Sequence, residues 1–254
     1  MLIKADFRNV ADYLAGLGIL EASSWHCPEV CGCWNDSGIE IDPMDDRCFS
    51  AVVECLAGAK IDIDPMACKE GDAQPKESPL VLTVVNRIIP LNAWLDGLLD
   101  RKSIWSPGIS GQVAAKMIVE DLLTRIKPLI EKSKPECIFG VEEGFAINDC
   151  AQFRYDGRTA WTTLDAGFSP NDSGLKTAAR PFVEFFAIIG AQSFFPQAAA
   201  TKFENPEYCI WQEHLPVSLC RLAARGMLHK HSRRFKAKRL EAGNFGAFSY
   251  ADEI

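Results

Sequence analysis

The chain has 254 residues, 48% of them hydrophobic and 24% charged, a composition that excludes a disordered polymer and leaves room for one large domain or two small ones. Its net charge of -7 argues against a free-standing nucleic-acid binder that works by charge alone. The ten cysteines sit in a chain of ordinary domain size whose start, MLIKADFRNV, shows no charged flank and apolar run, so most of them are expected to remain thiols in a cytoplasmic protein.

In chain order, Leu2 to Phe7 predicts a strand, and Asn9 a helix N-cap ahead of Val10, Tyr13, Leu14 and Leu17, which follow helical spacing. Gly16 and Gly18 weaken that helix by about 1 kcal/mol each relative to Ala, so close packing against another backbone is the expected compensation. A strand at Gly38 to Ile41 and a helix at Asp46 to Ala57 follow. The polar run Asp62 to Pro79, with three prolines and no period, predicts a surface loop or a subdomain boundary. Leu80 to Ile89 is rich in β-branched residues and predicts one buried strand. Ile109 to Ile130 carries Val113, Met117, Ile118, Leu122 and Ile126 at helical spacing and predicts the longest helix. Ile138 to Tyr155 predicts strand, with a turn at Asp156-Gly157. Phe182 to Phe195 is apolar on every side, with Pro181 suited to a first helical turn, and predicts a central core helix. Glu184 is its one charged residue. Its length is too short to span a bilayer. Leu215 to Leu228 predicts a last helix, and two strands joined by Gly243 to Gly246 close the chain. The expected class is α+β: mixed sheet elements on several helices, one of them a central apolar helix at about 181–195, in a single domain over 1–254 with a loop or boundary near 62–79.

The chemistry-bearing residues give few constellations. His26, Cys27, Cys31 and Cys33 offer zinc-ligand types, but without a paired knuckle at regular spacing, so no metal site is assigned. Asp165 and Asp172 in DAGFSPND fit a turn better than a metal pair. No nucleophile elbow, phosphate loop or zinc-protease helix occurs, so no catalytic residue and no cofactor is assigned. His229 and His231 flank Lys230 and are the residues a metal-free ribonuclease would use.

The charge distribution carries more. Residues 1–75 hold 14 acids against 5 Lys and Arg, whereas Arg221 to Arg239 holds 8 Lys and Arg and no acid. Arg221 and Arg225 share a helix face at i, i+4 spacing. If 232–240 is a strand, Arg234, Lys236 and Lys238 alternate with Arg233, Phe235 and Ala237. The candidate nucleic-acid-binding residues are therefore Arg221, Arg225, Lys230, Arg233, Arg234, Lys236, Lys238 and Arg239, together with Lys102 and Trp105, whose indole suits base stacking or loop anchoring. The plain alternative for the basic strand is a solvated edge protected by its cations.

Four segments, in order, carry a family resemblance: DFRNVADYLAGLGILEAS, RKSIWSPGISGQVAAKMI, WTTLDAGFSPNDSGLKTAARPFVEFFAIIGAQSFFP and RRFKAKRLEAGNFGAFSYA. Together they resemble a short CRISPR-associated protein of subtype I-U (I-G) loci, the third member of the Csb group, which stands in for a large subunit. The resemblance implies a non-catalytic subunit of a type I RNA-guided surveillance complex in antiviral defence. Its implied partners are other CRISPR effector subunits, guide RNA and target DNA, with no membrane. The guide supplies sequence specificity, and the protein reads backbone geometry. A guide-RNA-processing endoribonuclease and a pure scaffold subunit are the alternatives.

Overall fold

The computed structural model describes residues 1–64, 78–85, 87–95, 103, 105, 114–132, 153–156, 179–196, 205–228, 232–242 and 245–254. Among them the α+β class is plain: helices alternate with short strands gathered into several small sheets. A single hydrophobic cluster runs from Ile3 through Ile189 to Ala251, so elements from both ends of the chain share one core.

Two helices form the centre. Helix α1 (Val10–His26) starts as expected, the Asn9 side chain accepting from the amides of Ala11 and Asp12. It is buried on nearly every side from Val10 to Ser23, because it crosses α4 (Pro181–Phe194), which is buried equally thoroughly. Pro181 occupies the first turn of α4, and the helix ends one residue earlier than expected, where Phe195 turns left-handed at φ 43°. At the crossing the backbones meet directly. A Cβ on Gly18 would collide with the carbonyl oxygen of Phe186, and one on Gly190 with that of Leu14. Gly16 serves a different neighbour, its missing Cβ leaving room for the Trp34 ring.

At the shared start of these helices lies a buried polar knot. Arg180 Nη2 donates to Asp12 Oδ1 and to Asp156 Oδ2, each at 2.6 Å, and its Nε reaches Asp156 Oδ2 at 2.9 Å. Asn9 Nδ2 donates to the other Asp156 oxygen at 2.8 Å, so the residue that caps α1 also tethers residues 153–156. One turn into α4, Glu184 accepts from the amides of Phe153 and Tyr155 at 2.9 and 3.2 Å. Burial, then the Asp156 charge, push the Glu184 carboxyl up to about 8 against the pull of those amides.

The sheets wrap this centre. Strands β1 (Leu2–Lys4), β2 (Cys31–Asn35), β3 (Gly38–Asp42) and β8 (Leu215–Pro216) form an antiparallel sheet in the order β1-β3-β2-β8. Strands β4 (Lys60–Ile63), β5 (Leu80–Val84) and β6 (Arg87–Leu91) form a second. A third, in the order β12-β9-β7, is built from β7 (Glu207–Trp211), β9 (Ser232–Lys236) and β12 (Asp252–Glu253), with β10 (Arg239–Ala242) and β11 (Phe245–Phe248) as a separate hairpin. An aromatic run joins first and third sheets through α1. Trp34 stacks on Tyr13, Tyr13 on Tyr208 at 4.1 Å between centroids, and Tyr208 on Phe235.

Several expectations need correction. Leu80 to Ile89 is two strands, because Val85 takes φ 52° and reverses the chain with Val84 opposite Arg87; Val85 and Ile88 face solvent. The expected 109–130 helix is described only from Ala115 to Ile126, as α3, and tightens into a 3-10 turn over Lys127–Lys132, where Pro128 has no amide to continue the ladder. It is shorter than the 17-residue α1, and Met117 is exposed while Val119 and Leu123 join Ile118, Leu122 and Ile126 inside. The last helix, α5 (Val217–Ala224), covers only part of 215–228. Helix α2 (Asp46–Glu54) likewise ends in a 3-10 turn. Most of the 62–79 and 138–155 segments lies outside the described residues, although Asp62 and Ile63 already pair with Val81 and Leu80.

Candidate nucleic-acid interface

The basic segment folds as the end of α5 followed by β9. As the alternation predicts, Phe235 and Ala237 turn into the core, Arg234 and Lys238 are exposed and Lys236 is partly so. The strand is not an edge, however. It pairs along its length with β7 and, at Phe235 and Lys236, with β12 on the other side. A second break from expectation is that β9 stops at Lys236, with Arg239 opening β10.

Four of the candidate side chains are held by other parts of the chain. Arg233 makes a two-pronged contact with Glu253, Nε to Oε1 at 2.9 Å and Nη2 to Oε2 at 2.8 Å, and Nη1 reaches Asp36 at 3.3 Å. Its guanidinium also lies over the Phe7 and Phe235 rings. The Arg233 hydrogen bond holds the Glu253 carboxyl below its ordinary range. Lys236 Nζ sits 2.7 Å from Glu207 Oε1, directly across the β7–β9 pair. Arg221 Nη2 is 2.6 Å from Glu21 on α1. Arg225 donates to the carbonyl oxygen of Phe194 at 3.1 Å and lies over the Phe195 ring, which ties the end of α5 to the end of α4.

Arg234 is placed differently. Its guanidinium lies against Gly226, just past Arg225, near Cys209, the residue opposite Arg234 on β7. Burial raises the Cys209 thiol and the neighbouring Arg234 cation pulls it part of the way back. Among the described residues, Arg225, Arg234 and Lys238 have no carboxylate partner. Arg239 uses its amide on Asn205 Oδ1. Lys102 and Lys230 lie outside the described residues, as do His229, His231, Asp165 and Asp172.

Of the two expectations for Trp105, base stacking or anchoring, its surroundings fit anchoring. It is 1% exposed, its Nε1 donates to the carbonyl oxygen of Pro196 at 2.9 Å, and its ring meets Phe248 edge-on. The indole anchors its segment to the core and offers no free face to a base.

Sequence spacing missed the acids that answer this basic segment, since Glu21, Asp36, Glu207 and Glu253 come from α1, the β2–β3 turn, β7 and β12. The cysteines are thiols throughout the described residues. Burial raises Cys55 and Cys220 to about 12, which leaves them inert. His26, Cys27, Cys31 and Cys33 do not assemble as a four-ligand set; among the described residues only Cys33 joins a metal-capable group, with Glu40 and His214. No helix is long and apolar enough to cross a membrane among the described residues. Comparison with known proteins returns no matching family, no curated relative and no similar solved structure.

Proposed function

We propose that this chain is a non-catalytic subunit of a type I RNA-guided surveillance complex, and that Arg225, Arg234 and Lys238 form its phosphate-facing surface toward guide RNA or target DNA. One observation carries the reading. In a protein of net charge -7, these three exposed cations stand without a carboxylate partner among the described residues, while neighbours in the same segment are neutralised internally. The four ordered segments that resemble the CRISPR family supply the complex, the other effector subunits and the cytoplasmic setting. The pairing of Arg221, Arg233 and Lys236 favours a second reading, a scaffold subunit that touches only protein.

The two readings separate in one experiment. The full chain and an Arg225→Gln, Arg234→Gln, Lys238→Gln triple variant are titrated with labelled duplex DNA and single-stranded RNA across a salt series. The expected result is weaker binding for every sequence, with a salt slope lower by up to about 3, at roughly 0.9 per phosphate contact. Unchanged affinity and slope, with assembly of the complex intact, would select the scaffold.

A further inference from the structure

On the first sheet, three side chains of metal-ligand type come together, two on neighbouring strands and the third just ahead of β8. Cys33 on β2 stands opposite Glu40 on β3 in the antiparallel register. On the other side of β2, Gly32 pairs with Leu215 and Cys31 with Pro216, so the same register carried one step further sets His214 beside Cys33. Cross-strand neighbours share a sheet face, and strands run about 4.8 Å apart, a gap that one ion bridges. The thiol sulfur of Cys33 lies 3.4 Å from His214 Nε2, and Glu40 Oε2 lies 3.8 Å from that same nitrogen.

The convergence on a single nitrogen is the informative point. A thiol–imidazole–carboxylate relay needs the acid on Nδ1 and the thiol on Nε2, because each ring nitrogen has one lone pair or one proton to offer. Here thiol and carboxylate both face Nε2, which suits a shared cation. A tetrahedral zinc ion with Zn–S of about 2.3 Å and Zn–N of about 2.0 Å sets sulfur and nitrogen about 3.5 Å apart, and nitrogen and carboxylate oxygen about 3.3 Å apart. The observed 3.4 Å already matches the first distance. The second requires Glu40 to close by half an ångström from 3.8 Å, within reach of a side chain that is 44% exposed.

We propose that Cys33, Glu40 and His214 form a binding site for a borderline divalent transition-metal cation, zinc being the best fit to a mixed sulfur, nitrogen and oxygen set. Three protein ligands leave the fourth position to solvent, and the half-exposed Glu40 and His214 side chains provide the way in. Backbone pairing of β2 with β3 fixes Cys33 opposite Glu40, and pairing of β2 with β8 fixes the residues next to His214, before the ion arrives. The site stands independently of the nucleic-acid reading.

The test uses the purified full chain, dialysed against Zn²⁺ for stoichiometry and against Co²⁺ for its spectrum. One equivalent of metal is expected, with a thiolate-to-cobalt charge-transfer band that is lost in Cys33→Ser and kept in Cys31→Ser. His214→Ala and Glu40→Gln alter half-exposed side chains, so the fold persists and the melting temperature of the metal-free protein stays that of wild type. Each should weaken metal affinity by at least about tenfold, the scale on which even outer partners of metal ligands act. Absence of the band, a band that follows Cys31 instead of Cys33, or an affinity indifferent to both His214→Ala and Glu40→Gln overturns the assignment.

Discussion

Arg180 and Arg233 each sit between two carboxylates, and the resemblance ends there. Arg180, Asp12 and Asp156 are almost fully buried, with side-chain exposures of 5%, 3% and 5%. Around Arg233 the carboxylates of Glu253 and Asp36 are 47% and 92% exposed. In the first region the charges have lost water and rely on partners supplied by the protein; in the second, water and salt compete for every contact. A guanidinium between two acids is thus a structural knot at one end of α4 and a surface clasp on β9. Only the second kind can be exchanged for a phosphate without unmaking the fold.

Three substitutions sharpen that contrast. Arg180→Met removes the guanidinium that bridges buried Asp12 and Asp156 and should cost about 3–5 kcal/mol in denaturant unfolding. A loss of less than about 1 kcal/mol would mean that water reaches the knot and the two regions are alike.

The intermediate effect is one of pH. A glutamate in the unfolded chain titrates near 4.5, whereas folded Glu184 holds its proton up to about 8. Between those values the unfolded state releases a proton that the folded state keeps, so the Glu184 contribution to stability is full below 4.5, falls as pH rises and is lost above about 8. Wild type should therefore lose stability relative to Glu184→Gln across that window. Parallel pH profiles of the two proteins would refute the buried, protonated carboxyl.

The smallest effect belongs to the surface. Glu253→Gln should lower the melting temperature slightly at low ionic strength, and the difference from wild type should vanish at high salt. A salt-independent drop as large as that of Arg180→Met would mean that the Arg233 clasp is as structural as the Arg180 knot.

Local signals were readable in the sequence and long-range ones were not. Asn9 announces α1, and Pro181 with an all-apolar run announces α4, because capping and the missing proline amide act within one turn. Gly18 foretold a close backbone approach but not its partner, Phe186, which lies far along the chain. Strand β2, CGCWN, escaped notice because cysteine and glycine carry little β-preference, and its place is set by pairing with β3 and β8. The hairpin at Val85 was hidden because a β-branched residue occupies a backbone region that usually calls for glycine. For the candidate interface, the density of Arg and Lys was visible, yet which cations stay unanswered depends on acids up to 200 residues distant, as for Arg221 and Glu21. The Cys33, Glu40 and His214 row is a product of strand register and has no spacing signature at all.

The glycine crossing also limits how this molecule can move. Leu14 and Phe186 each stand four residues before the glycine of their own helix, and each offers its carbonyl to the glycine of the other, so α1 and α4 meet through a local two-fold swap. Sliding α4 by one turn would bring Phe186 or Phe194 to the place of Gly190, and no benzyl group fits where a single methyl already collides. A ratchet between the helices is therefore closed off. The two helices thus keep one register along their length, and the knot at Arg180 and the Arg225 contact at the far end of α4 stay at a fixed spacing along that helix.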